Sequence, residues 1–188
     1  MNDTHDKQDI PAEAIRDAYP VGLTTKKPLM TANEYRSLLP HLVPASALME
    51  TEVFLRRAGE RDCEGAVLWI GEREDRHYRV KRVLAPRQTA SRWHFEVPLD
   101  ERIRIASSLG EKEIVILQVH SHPEGAFHSP TDDRKAMVDR QWALSIVLPG
   151  FCHGGLRDFT EAAVYSLRGP LDWVQLTAEQ VGSLFIIE

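Results

Sequence analysis

Residues 112–133 read KEIVILQVHSHPEGAFHSPTDD, and their interpretation decides the fold. The apolar stretch EIVILQV (113–119) has the length of a buried strand and runs directly into two histidines separated by one serine. Side chains two apart in an extended strand share a face, so His120 and His122 present adjacent imidazoles while Ser121 turns away. Pro123 has no backbone donor and stops strand pairing. The short loop EGAFH (124–128) then leads into a helix-start signature, with Ser129 as N-cap, Pro130 at the first position and Asp132 at the third. Asp132 falls in the first helical turn, where its carboxylate can turn back toward the strand end. Asp133 is rotated by about 100° and faces elsewhere.

Two histidines and one carboxylate form a three-ligand set suited to catalytic zinc, with the fourth position left to water. Such an ion brings the pKa of water near neutrality, and the chemistry needs a general base beside it. Glu64, at the head of the apolar run EGAVLWIG (64–71), is the candidate base. His128, His153 and Cys152 read as loop residues, Cys63 as a small buried residue, Trp69 and Trp142 as core, and Trp93 as part of a loop near the cleft.

Outward from this region, helices and strands interleave. ASALMETEVFLRRAGE (45–60) has the periodicity of an amphipathic helix ending at Gly59. EGAVLWIG suits a buried strand, joined by the charged turn EREDR to the alternating strand HYRVKRVLAP (77–86), with RWHFEV (92–97) as a further strand. PLDERIRIASSLG (98–110) reads as a helix, and SPTDDRKAMVDRQ (129–141) as another. ALSIVLP (143–149), EAAVYSLR (161–168) and DWVQL (172–176) are strands, and Thr177 with Gln180 makes a capping box before a terminal helical turn. The class is α/β with a mixed β-sheet flanked by helices. Residues 1–40 read as a partly flexible N-terminal arm with a short helix near AEAIRDAY (12–19), and residues 41–188 as the domain.

The chain has 188 residues, 43% hydrophobic and 27% charged, with a net charge of −5. That balance argues against a nucleic-acid binder, which needs a basic face. No apolar run reaches the roughly 18 residues that span a bilayer, and the N-terminus lacks a secretory pattern. Two cysteines without a CxxC pair point to a reduced, cytoplasmic setting.

Glu64, His120-Ser121-His122-Pro123 and Ser129-Pro130-Thr131-Asp132, in that order, resemble the JAMM metalloprotease family, also called catalytic MPN or JAB domains, and its prokaryotic branch in particular. The resemblance covers roughly residues 45–176. It implies a domain similar to the cytidine deaminase fold, bound zinc, and hydrolysis of amide or isopeptide bonds. By position, His120, His122 and Asp132 correspond to the zinc ligands, Glu64 to the general acid/base and Ser129 to the group assisting the oxyanion. The implied partners are ubiquitin-like proteins or their conjugates, and enzymes resembling ubiquitin-activating and ubiquitin-conjugating proteins. Implied alternatives are a zinc amidase acting on a small-molecule or sulfur-carrier conjugate, and a non-catalytic MPN scaffold. Nine residues separate His122 from Asp132, one fewer than the family pattern. The helix-start unit and helical phase select Asp132 over Asp133 and assign the deletion to the EGAFH loop. The signatures H-x-E with P-C-x-x-C, H-E-x-x-H and G-x-S-x-G are absent, which excludes nucleotide deaminases, helix-borne zinc proteases and serine hydrolases.

Overall fold

Burial on both faces makes β2 (Ala66–Arg73) the centre of the fold. Val67 and Trp69 join the larger core, whereas Leu68 and Ile70 join a cluster on the opposite side. A strand covered twice reads as an unbroken apolar run, as this one does. It pairs antiparallel with β3 (Tyr78–Leu84) and with β6 (Glu113–Ser121). Gly71 sits where the register against β3 shifts, and a Cβ there would come within 1.9 Å of the Arg79 carbonyl oxygen. Only glycine admits so close an approach.

The structure is a computed structural model and describes residues 26–188. The remaining strands are β1 (His41–Val43), β4 (Thr89–Ser91), β5 (His94–Glu96), β7 (Leu144–Leu148), β8 (Ala163–Gly169), β9 (Asp172–Gln175) and β10 (Phe185–Ile187). The main sheet runs β10-β1-β3-β2-β6-β7-β8-β9. β1 is parallel to β10 and β3, and β6 to β7, while the other pairs are antiparallel. The sheet is therefore mixed, as the interleaved pattern requires.

Helices cover both faces. The helix α1 (Ala32–Tyr35) opens the described chain, with a capping box between Thr31 and Glu34. On one face, α2 (Ala45–Gly59) contributes Leu48 and Leu55, and α5 (Ala178–Leu184) contributes Val181 and Leu184. Each such buried aliphatic side chain stabilises the fold by roughly 1.5–3 kcal/mol before entropy is counted. Inside this core the Trp69 Nε1–H donates to Thr51 Oγ1 at 2.8 Å. On the other face, α3 (Leu99–Ser108) sets Ile105 against Leu68 and Ile70.

Parts of the fold differ from the sequence reading. The helix from Ser129, here α4 (Pro130–Lys135), stops six residues short of Gln141. The Arg102 guanidinium takes the carbonyls of Lys135 and Ala136, and the Met137 N–H donates to Gln118 Oε1 at 2.7 Å, so side chains replace the next helical turn. RWHFEV yields only β5, paired with β4 in a hairpin outside the main sheet. The short parallel pair β1 and β10 has no signal in the sequence, because three-residue strands carry no periodicity. Met30 is buried, and its N–H donates to the Gln175 carbonyl at 2.8 Å. The helix expected near residues 12–19 lies outside the described residues. Among those described, no helix is long and apolar enough to cross a membrane.

Candidate metal centre

Strand register brings Glu64 to the histidines. Ala66 pairs with His120 across β2 and β6, and the Ser121 N–H donates to the Gly65 carbonyl at 3.1 Å. Two further residues along this antiparallel register set Glu64 opposite His122. β3 has already left β2 at this point, and the Gln88 side chain takes its place. Its Oε1 accepts from the Ala66 N–H at 2.9 Å, and its Nε2 donates to the Ala66 carbonyl at 2.8 Å. The Glu64 N–H donates to the Ser91 carbonyl at 2.8 Å, so the β4–β5 hairpin fixes the same backbone from outside.

The carboxylate comes from α4. Ser129 Oγ accepts from the Asp132 N–H at 3.2 Å, and Asp132 Oδ2 accepts from the Ser129 N–H at 2.7 Å. This reciprocal cap holds the Asp132 side chain back over the helix start, toward the end of β6. Its Oδ1 lies 3.6 Å from His120 Nε2, and its Oδ2 lies 3.4 Å from His122 Nε2. Glu64 Oε1 is 3.9 Å from the same His122 nitrogen. The structure thus brings together all five residues singled out in the sequence.

One donor atom each from His120, His122 and Asp132 lie within 4.8 Å of one another, and all three residues are buried. His120 is fully enclosed, yet neither of its ring nitrogens has a hydrogen-bond partner. An unpartnered buried polar group costs about 1–3 kcal/mol, and a cation accepting the imidazole lone pair removes that cost. Two imidazoles and a carboxylate are a donor set that fits a divalent ion.

The electrostatics favour the same arrangement. Burial holds His122 below its ordinary value, despite the hydrogen bond to Asp132, so the ring is neutral and its lone pair available. Burial opposes ionisation of Asp132, but the two imidazoles outweigh it and keep the carboxyl well below its usual range. Burial, and then the nearby Asp132 charge, push Glu64 up to about 9. A carboxyl displaced this far beside metal-type donors is poised to hold and release a proton.

The surroundings hold residues that the sequence did not expose. Phe95, on β5, lies 5.5 Å from the His120 ring, and Phe127 packs edge-on to His122 at 4.7 Å. His128 is buried rather than a free loop residue: its Nδ1 meets Asp133 Oδ1 at 2.8 Å and its Nε2 meets Ser145 Oγ at 3.1 Å. Asp133 also pairs with Lys27 through its other oxygen, which turns it away from the imidazoles. Lys135, at the end of α4, reaches Glu96 at 3.4 Å and ties the hairpin to that helix. After β7, Gly150, Phe151 and Cys152 all have left-handed backbone, with φ of 55°, 52° and 62°. This tight turn receives the chain beyond the histidines, since the Phe151 N–H donates to the His122 carbonyl at 2.8 Å. Cys152, read as a loop residue, is buried there. The signal that could have found His128 is its place beside the helix-start unit; nothing local marks Gln88 or Phe95.

Comparison with known proteins gives similarities at the level of family, relative and fold. A family model described as prokaryotic homologs of the JAB domain matches residues 44–157. A protein of Sinorhizobium fredii (strain NBRC 101917 / NGR234), named "Probable metalloprotease y4jG", is 32% identical over 136 residues, covering 70% of this chain and 83% of that one. The solution structure of protein DSY2949 from Desulfitobacterium hafniense has a TM-score of 0.56 at 16% identity, covering 79% of this chain and 92% of that one, and so shares the fold.

Proposed function

The chain belongs to the family of prokaryotic homologs of the JAB domain, and on that premise we propose that it is a zinc-dependent peptidase that cleaves the amide bond after the C-terminal tail of a ubiquitin-like modifier. The observation that carries the reading is the buried His120–His122–Asp132 set with Glu64 at its edge, 3.9 Å from His122. In this reading His120, His122 and Asp132 hold the ion. Zinc supplies Lewis acidity at this point, lowering the pKa of water and polarising a carbonyl.

Each remaining role falls to a side chain of the chain itself. Glu64 takes a proton on a carboxylate oxygen as water attacks, and returns it to the leaving amine. Its raised affinity for a proton suits that shuttle; a bound cation favours the ionised form at the start of the cycle. Ser129 Oγ uses a lone pair on the Asp132 N–H, which leaves its O–H free to donate to the developing oxyanion. The Phe95 and Phe127 rings exclude water around the imidazoles. An extended tail can add to a sheet edge near the site, gaining backbone hydrogen bonds where side chains have little room.

Incubation with a panel of fusions bearing Gly-Gly-tailed ubiquitin-like proteins, with and without chelator, tests this through the mass of the cut products. Cleavage after the tail that chelator abolishes is the expected result. Glu64→Gln should keep its zinc and lose turnover. Wild-type turnover in that variant would remove Glu64 from the mechanism. Cleavage of small acyl amides alone would reassign the substrate to a small conjugate.

A further inference from the structure

A second constellation lies at the opposite end of the sheet from the imidazole pair. Register places Arg73 opposite Tyr78 across β2 and β3, and Tyr78 opposite His41 across β3 and β1. Cross-strand partners point to one face, so these three side chains form a row. The same end of β2 pairs with the start of β6, Glu72 with Glu113, whereas His120 lies seven residues further along. At about 3.3 Å per residue the row is about 23 Å from the histidines.

This row lines a solvent-open cavity of about 320 Å³, bordered by Arg140, Trp142 and the loop at Ser37. No carboxylate lines it. The acids flanking Arg73 are engaged elsewhere, Glu72 by Lys81 and Glu74 by Arg79 and His77. Arg140 donates to the Tyr78 hydroxyl and lies over its ring, 4.9 Å from the centroid, without an acidic partner among the described residues. Two guanidinium groups sharing a cavity free of anions form a local excess of positive charge on a chain whose net charge is −5.

His41, 2% exposed, forms part of the wall beneath this row. Burial, followed by the Arg140 charge, pushes this imidazole down to about 3, so it is neutral and adds no charge to the wall. Trp142 holds a left-handed backbone, φ 66°, fixed by its N–H to the Leu167 carbonyl at 2.7 Å. A bulky side chain adopts that conformation only where surroundings enforce it, and here it sets an aromatic wall beside Leu38 and Leu39.

We propose that this cavity binds a small organic anion, a carboxylate or phosphomonoester carried on an apolar or aromatic body, at a site separate from the metal centre. Arg73 and Arg140 pair with the anionic head, and Trp142 with Leu38 and Leu39 takes the body.

The test titrates the zinc-loaded full chain with benzoate, phenyl phosphate and neutral benzamide, followed by proton–nitrogen correlation spectra. Saturable shifts at the Trp142 indole and the backbone of Ser37–Leu39 are expected with either anion. Arg73→Gln and Arg140→Gln should each weaken benzoate binding about tenfold, with the rest of the spectrum unchanged, since one charge-assisted hydrogen bond is worth about that much. Benzoate binding should persist in Asp132→Ala. Equal binding of benzamide, indifference to both arginine variants, absence of saturation, or loss of binding in Asp132→Ala would each overturn the assignment.

Discussion

His128 Nδ1 and Asp133 Oδ1 lie 2.8 Å apart, and this contact holds the second of two consecutive aspartates away from the imidazole pair. The remaining Asp133 oxygen is taken by Lys27, and His128 is held from behind by Ser145, which also accepts from Gln118 at 3.0 Å. With Asp133 anchored on one side of α4, Asp132 is left over the histidines.

The two aspartates should therefore behave differently on substitution. Asp132→Ala is expected to abolish stoichiometric zinc binding. Asp133→Ala should retain zinc but loosen it by about 10–100-fold, the usual cost of losing a group that orients a ligand. Competition against a chromophoric chelator measures both. The opposite pattern would reassign the carboxylate.

Glu64 sets a pH dependence for the metal-free protein. Its carboxyl is raised from 4.5 to about 9 in the folded state, so folding favours the protonated form. That contribution is complete below pH 4.5 and is lost as pH rises toward 9. His41, His122 and His128, all held below 6.5, act in the opposite sense, but only at lower pH. Between pH 6.5 and 9 the melting temperature of chelator-treated protein should fall, and Glu64→Gln should flatten the slope. Zinc should flatten it too, because the cation favours the ionised form.

Gln88 makes two hydrogen bonds to the backbone of Ala66, which is fully buried. Gln88→Ala leaves both groups unpaired at the end of β2, costing about 1–3 kcal/mol for each group in urea denaturation. Because Glu64 is two residues away, kcat should fall while zinc content stays at one equivalent. An unchanged kcat would show that the β4–β5 hairpin alone holds Glu64.

Gly71→Ala would force a methyl group against the Arg79 carbonyl oxygen, where the available separation is 1.9 Å. Backbone must move in the central strand pair, and the expected loss is about 3 kcal/mol or more. Unfolding midpoints in urea read this directly.

Most of the central fold was legible because β2, β6 and β7 are continuous apolar runs with clear stops, and α2 and α3 have the expected period and boundaries. The grouping of His120, His122 and Asp132 was equally legible, since strand alternation and helical phase are local geometry. The halt of α4 at Lys135 was not, because it depends on Arg102 and Gln118 arriving from elsewhere. Gln88 was invisible for the same reason: its role exists only once β3 has parted from β2. β1 and β10 stabilise one another from opposite ends of the described chain, and neither carries a pattern alone.

The reciprocal cap between Ser129 and Asp132 makes the aim of that carboxylate a property of four consecutive residues. The preceding segment, 124–127, behaves as slack between two independently fixed anchors. Its length can drift over evolutionary time without re-aiming the donor atom. Counting residues from the second imidazole is then a poor ruler for finding the third ligand, whereas the helix-opening tetrad travels with the donor it orients.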